Sequence, residues 1–140
     1  MLTRIITALT FVVMFVTLCG AYQAVVQKVP PKPTNPASGK AMFIEYCAAC
    51  HGESGVGNGP AASALKKTPA DLTQLSAHNG GKFPEAKVSR FIKGDDVVAA
   101  HGSRDMPIWG DVFRSMSTDN SMLAQRVYNL TKYVESIQAK

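Results

Sequence analysis

Cys47-Ala48-Ala49-Cys50-His51 constrains this chain more than any other stretch. Two thiols with two residues between them, followed at once by an imidazole, stand at the spacing that fastens and ligates a c-type haem. One short turn presents both sulfurs to the two vinyl groups of a porphyrin, forming thioethers, and His51 then lies against one ring face as the proximal iron ligand. Two other chemistries use parts of this pattern. A redox dithiol wants a surrounding βαβ unit, whereas this region alternates helix signals with glycine-rich loops. A structural zinc site needs four protein ligands, and the sequence offers neither a second C-x-x-C nor a closely spaced histidine pair.

The chain has 140 residues, room for one domain and one modest core. Of its three cysteines, Cys47 and Cys50 go to the haem and Cys19 falls in an apolar N-terminal run, so no structural disulfide is expected. A covalently fixed haem takes the place that disulfides take in other small exported domains, adding a large apolar plate to a thin core. The formal charge of +5 misleads, because Arg4, Lys28 and Lys32 all precede the globular part. From Ser38 to Lys140 there are 12 basic and 10 acidic side chains, a balance of +2 before haem propionates subtract from it. Nucleic-acid binding therefore has no support. Lys66 and Lys67 could belong to a docking face for a partner, against the ordinary reading of a solvated surface.

Three parts follow one another along the chain. Arg4 is followed by Ile5 to Gln27 without one charged side chain, long enough at about 1.5 Å per residue to cross a bilayer. Residues 1–27 are read as a signal peptide, cleaved after Ala21, or as a retained membrane anchor; both readings stay open. Val16-Thr17-Leu18-Cys19 departs from a lipoprotein box in the bulky Leu18. Residues 28–36 hold Pro30, Pro31, Pro33 and Pro36 and form a stiff polyproline II spacer. Residues 37–140 are the haem domain, read as helices joined by long loops.

Asn35 and Pro36 read as an N-cap with proline in the first helical position, opening a helix that runs into Cys47 with Phe43 and Tyr46 on its apolar face. Pro84 opens a second helix, with Val88, Phe91 and Ile92 on one side and Gly94 closing it. Asp71 to Ala77 is a candidate short helix. After a Ser117-Thr118-Asp119 capping cluster, Leu123, Val127, Leu130, Val134 and Ile137 recur at helical spacing and mark the last helix. Gly52 to Pro60 and Gly94 to Arg114 read as loops. Gly55-Val56-Gly57-Asn58-Gly59 lacks the lysine and preceding strand of a phosphate cradle, and its glycines are expected to let the backbone pass close to the ring.

With these residues in view the chain resembles a class I, mono-haem cytochrome c of the exported bacterial kind, over roughly Asn35 to Lys140. Gly39 and Phe43 resemble the family's close-contact pair on the first helix, and Leu130 and Tyr133 the partners on the last helix that cross it. Gly59-Pro60 resembles the loop beside the proximal histidine, and Asp105-Met106-Pro107 the distal loop. The resemblance implies an all-α fold of about three to five helices around one covalent haem c, with the first and last helices crossing, and electron transfer as the function.

The sixth ligand can be argued from residues. Downstream of His51 stand His78, His101, Met106, Met116 and Met122. Met122 lies on the last helix and Met116 just before its cap, positions where methionine ordinarily packs. Met106 sits in a loop between Gly102 and Gly110 with Pro107 stiffening the backbone behind it, and is the expected distal ligand; His101 is the alternative. Around the haem, Trp109, Pro60 and Arg104 are the candidate neighbours, Trp109 and Arg104 (with Arg90) as propionate partners. If both axial positions are filled by protein, no site is left for a small-molecule substrate, and the chain is a carrier between redox proteins, not an enzyme. A haem subunit of a larger dehydrogenase or terminal oxidase is the alternative; a gas-binding or peroxidatic protein would need an open sixth position, which Met106 argues against. By the resemblance, haem attachment is completed outside the cytoplasmic membrane, which places the domain in the periplasm or on the membrane's outer face.

Overall fold

Two helices cross at Gly39, and the rest of the domain is arranged around that crossing. The computed structural model describes residues 31–95, 106–117 and 119–139. The apolar run 1–27, His101 and Arg104 lie outside the described residues. Those described contain five α-helices, α1 (Gly39–Tyr46), α2 (Ala48–His51), α3 (Glu85–Lys93), α4 (Trp109–Ser115) and α5 (Asn120–Ser136), and no strand. Three 3-10 turns, Ala62–Ala64, Leu72–Gln74 and Ala77–Asn79, join them.

α1 begins three residues later than the sequence suggests. The side chain of Asn35 accepts from Ala37 N at 2.9 Å, closing a turn of its own, and Ser38 N donates to the Asn35 carbonyl at 3.1 Å. Ser38 is the helix cap instead, its Oγ accepting from Ala41 N at 3.2 Å. Both residues are good N-caps; the asparagine is used on a local turn and the serine on the helix. Asp119 caps α5 in the expected way, accepting from Ser121 N at 2.8 Å.

α1 and α5 approach so closely that a Cβ on Gly39 would meet the carbonyl oxygen of Asn129 and stand 2.8 Å from Tyr133 Cβ. Hydrogen at that position is what permits the crossing. Phe43 and Tyr133 stack beside it with ring centroids 5.1 Å apart. Phe43, Met42, Leu130, Val127, Val134 and Phe113 form the buried centre. Met42, which the sequence reading left off the apolar face, is as deeply buried as Phe43. Of the α5 seam, Val127, Leu130 and Val134 are buried, while Leu123 and Ile137 flank the core half-buried.

On α3, Ile92 is buried and Val88 half-buried against the core, but Phe91 is 40% exposed. Val88 and Ile92 stand four apart and make the contact stripe; Phe91 lies at its edge. The expected short helix over Asp71 to Ala77 is two 3-10 turns. α4 occupies a stretch that reads as loop. Its N-cap is Ile108, with no side-chain cap bond, and seven residues are too few for periodicity to announce a helix. Packing against α3 and α5 holds it.

Residues 31–36, the end of the proline-rich stretch, lie on the domain. Tyr46 donates its hydroxyl to the Lys32 carbonyl at 2.7 Å, and Asn129 Nδ2 donates to the Pro36 carbonyl at 2.9 Å. Arg126 from α5 reaches Thr34 twice, Nη2 to its carbonyl at 3.0 Å and Nη1 to its hydroxyl at 3.1 Å. By contacts, Pro31 to Lys140 form one unit.

Candidate functional site

The five residues 47–51 sit where α1 gives way to the single turn of α2. Cys47 N still donates to Phe43 O at 2.8 Å, continuing the helical bond pattern, and His51 N donates to Cys47 O at 2.9 Å. Cys47 and Cys50 are thus presented one turn apart, both half-buried and neither in a disulfide. Burial, followed by the neighbouring Cys50, pushes the Cys47 thiol up to about 12. A dithiol built for exchange has its attacking thiol lowered toward neutral, the opposite shift.

His51 is oriented by backbone. Its Nδ1 lies 3.0 Å from the carbonyl oxygen of Ala70, and because a carbonyl only accepts, Nδ1 carries the hydrogen and donates it. Nε2 is then left with its lone pair, the form in which an imidazole binds a metal. Burial lowers the basicity of the ring, outweighing the Ala70 bond that raises it, so the neutral form dominates at neutral pH.

The glycine-rich loop holds this arrangement together. Gly57 N donates to His51 O at 2.7 Å, Gly59 N to Cys50 O at 3.0 Å and Ala61 N to Ala49 O at 2.8 Å, so the carbonyls left open at the end of α2 are all met. A Cβ on Gly59 would collide with the carbonyl oxygens of Ala48 and Ala49. Gly59 thus allows a close approach to the backbone of the motif. Gly57, at φ +86°, also leaves room for the Pro69 carbonyl, 2.5 Å from where a Cβ would stand.

The residues that follow Ala70 are held at three points. Leu72 N donates to Gly55 O at 2.7 Å; Asp71 accepts from both the amide and the hydroxyl of Thr73, at 2.9 and 2.6 Å; Gln138, just past α5, donates to the Leu72 carbonyl at 2.7 Å. The Thr73 hydroxyl and amide hold the Asp71 carboxyl below its ordinary value. The pattern Asp71-x-Thr73 is a legible turn signature, but a backbone carbonyl such as that of Ala70 leaves no mark in a sequence.

Met106 is 40% exposed and stands two residues before the Ile108 cap of α4. A Cβ on Gly94 would collide with the Ile108 side chain, and one on Gly110 with the Lys93 carbonyl. The end of α3 and the start of α4 therefore touch and form a closed base. Trp109 packs on Tyr46, the residue before Cys47, with centroids 5.4 Å apart, and Phe113 completes the cluster at 5.7 Å from Tyr46. This ties the residues beside Met106 to the residue beside Cys47. The Trp109 ring also packs on Phe113, with centroids 6.0 Å apart. Pro60 is exposed next to Gly59; Lys66, Lys67, His78 and Arg90 are on the surface.

The donor set fits a covalent haem c. Two unpaired thiols one turn apart serve as tethers, and one imidazole has a free Nε2 and a fixed Nδ1. No cage for a bare metal ion of three or more His, Cys, Asp or Glu side chains exists among the described residues. A family model described as "Cytochrome C oxidase, cbb3-type, subunit III" matches residues 34–121, a span that holds Cys47, Cys50, His51, Met106 and Trp109. No curated protein and no solved structure matches the chain.

Proposed function

The chain belongs to this family of class I c-type cytochromes, with a covalent haem c and electron transfer as its work, and from that premise we propose that it is a His/Met-ligated carrier between redox proteins of the cell envelope. When bound, the haem supplies a one-electron iron couple. Cys47 and Cys50 hold the ring by thioethers, and His51 ligates through Nε2. Ala70 O keeps the His51 ring at one angle, so that the ligand need not reorient when the charge changes. Met106 is the distal ligand, a soft thioether that favours the reduced state and fills the position a substrate would need. The Tyr46–Trp109–Phe113 cluster and the closed base at Gly94 and Gly110 support that placement. With His51 and Met106 both holding the iron, no position would be left for a substrate, and the domain would pass electrons without a reaction of its own. Residues 1–27 carry it across the membrane, as a signal or an anchor, and the spacer 28–36 leads into the haem domain 37–140, its end from Pro31 on packed against that domain.

The observation that carries this reading is His51, tied at Nδ1 and directly behind two unpaired thiols. The purified protein should keep its haem through acid-acetone extraction, and Cys47→Ala with Cys50→Ala should not; extractable haem from the wild type overturns it. The printed description of the family favours a second reading, a haem subunit of a terminal oxidase. Copurification with a fixed oxidase core under mild detergent would select that reading, and isolation as a free chain the carrier.

A further inference from the structure

Among the described residues the buried charged side chain is Arg126, at 5% exposure on the inner face of α5. A guanidinium keeps its proton at any accessible pH, so a permanent positive charge sits in the core. Everything it touches is neutral: the carbonyl and hydroxyl of Thr34, the Met42 sulfur at 3.7 Å, and the Phe113 ring, whose centroid is 5.9 Å from the guanidinium carbon. No carboxylate among the described residues pairs with it, and its Nε has no acceptor at all. Burying a cation without a counter-charge is expensive, and the bonds to Thr34 need donors, not a charge.

The surroundings give the charge a use. Met42 precedes Cys47 by five residues on the same helix, a rise of about 7.5 Å. Phe113 packs 5.7 Å from Tyr46, the immediate neighbour of Cys47. Met42, Phe43, Phe113 and Tyr46 are all buried, so the field of the guanidinium is poorly screened toward the attachment end of α1. We propose that Arg126 tunes the haem iron: its buried, unpaired charge disfavours the ferric state and raises the reduction potential. The proposal rests on the haem reading above. At an effective dielectric of about 20, a unit charge within one small domain shifts an equilibrium about three- to ten-fold. At 59 mV per tenfold for one electron, that is about 30 to 60 mV.

The test is an equilibrium redox titration of the full, covalently haem-loaded chain at low and at high salt. Arg126→Met should lower the potential by the amount above at both salt concentrations, while Thr34→Val, which removes a hydrogen-bond partner only, should leave it near the wild-type value. Should Arg126→Met not fold, Thr34→Asp decides: it pairs with the guanidinium in place, and should raise stability while lowering the potential. An unchanged potential in Arg126→Met or in a stable Thr34→Asp overturns the proposal. So do equal shifts in Thr34→Val and Arg126→Met, which would make the effect one of packing. A chain without covalent haem overturns the underlying reading; a haem-loaded chain whose potential ignores Arg126 overturns this inference alone.

Discussion

Each motif side chain performs its part through a neighbour that the motif does not contain. The His51 ring has a fixed orientation because Ala70 O takes its Nδ1 hydrogen, and Cys47 follows directly on Tyr46, whose ring packs against Trp109. Met106 is the proposal most open to direct test. Met106→Ala should remove the soft ligand, lower the reduction potential and admit carbon monoxide to the iron, as read by redox titration and the absorption spectrum. Met116→Ala should instead cost about 2 kcal/mol of stability in a denaturant titration with the potential nearly unchanged, since its sulfur lies 3.7 Å from the Tyr46 hydroxyl and its role is packing. If the potential ignores Met106→Ala and responds to His101→Ala, the distal ligand is His101.

At the scale of elements the α1–α5 crossing and the loop behind His51 are the two joints on which the site depends. Gly39→Ala would force a methyl against the Asn129 carbonyl, backbone that cannot yield without parting the helices. The expected loss is about 1–3 kcal/mol, measured by urea unfolding of the haem-loaded protein. The second joint responds to acid. Asp71 is held below its ordinary value of 3.8 by the Thr73 hydroxyl and amide, so the unfolded chain takes up its proton before the folded one. Its contribution is fully present above the ordinary value and is lost as the pH falls from there through the folded value. The stability difference between wild type and Asp71→Asn should therefore be constant from neutral pH to about pH 5 and shrink below about pH 4. A difference independent of pH would show that the carboxylate does not hold this turn.

For the whole molecule the tether is the open question of consequence. No helix among the described residues is long and apolar enough to cross a membrane, and the apolar run 1–27 lies outside them. If that run is retained as an anchor, salt washing should leave the protein in membranes and detergent should release it, with an intact mass that includes Ile5 to Gln27. If it is cleaved, the mature N-terminus should be Tyr22 and the protein should fractionate with the soluble periplasm. Haem-loaded protein confined to the cytoplasm would defeat both versions. The proline-rich spacer is in part domain, since Lys32, Thr34 and Pro36 are hydrogen-bonded to Tyr46, Arg126 and Asn129. Truncation before Pro31 should leave stability intact, and truncation before Asn35 should lower it.

What the sequence determined by itself is what local chemistry can write. Cys47, Cys50 and His51 carry their meaning in their spacing; Asp119 and the α5 seam announce a capped amphipathic helix; Gly39, Phe43, Leu130 and Tyr133 are read by resemblance as a crossing, and they cross. Other features follow from contacts between residues far apart in the chain, and those only the tertiary structure decided. α4 has neither a polar cap nor the length for a period, and is helical because α3 and α5 pack against it. Asn35 and Ser38 were equally eligible to start α1, and the choice went to the one whose oxygen was not already bonded to Ala37. Ala70 orients His51 through a carbonyl group that every residue possesses, and Arg126 reads as a surface arginine until α5 turns it inward. Backbone groups and the facing of a helix carry no sequence label, because their partners are set by the fold.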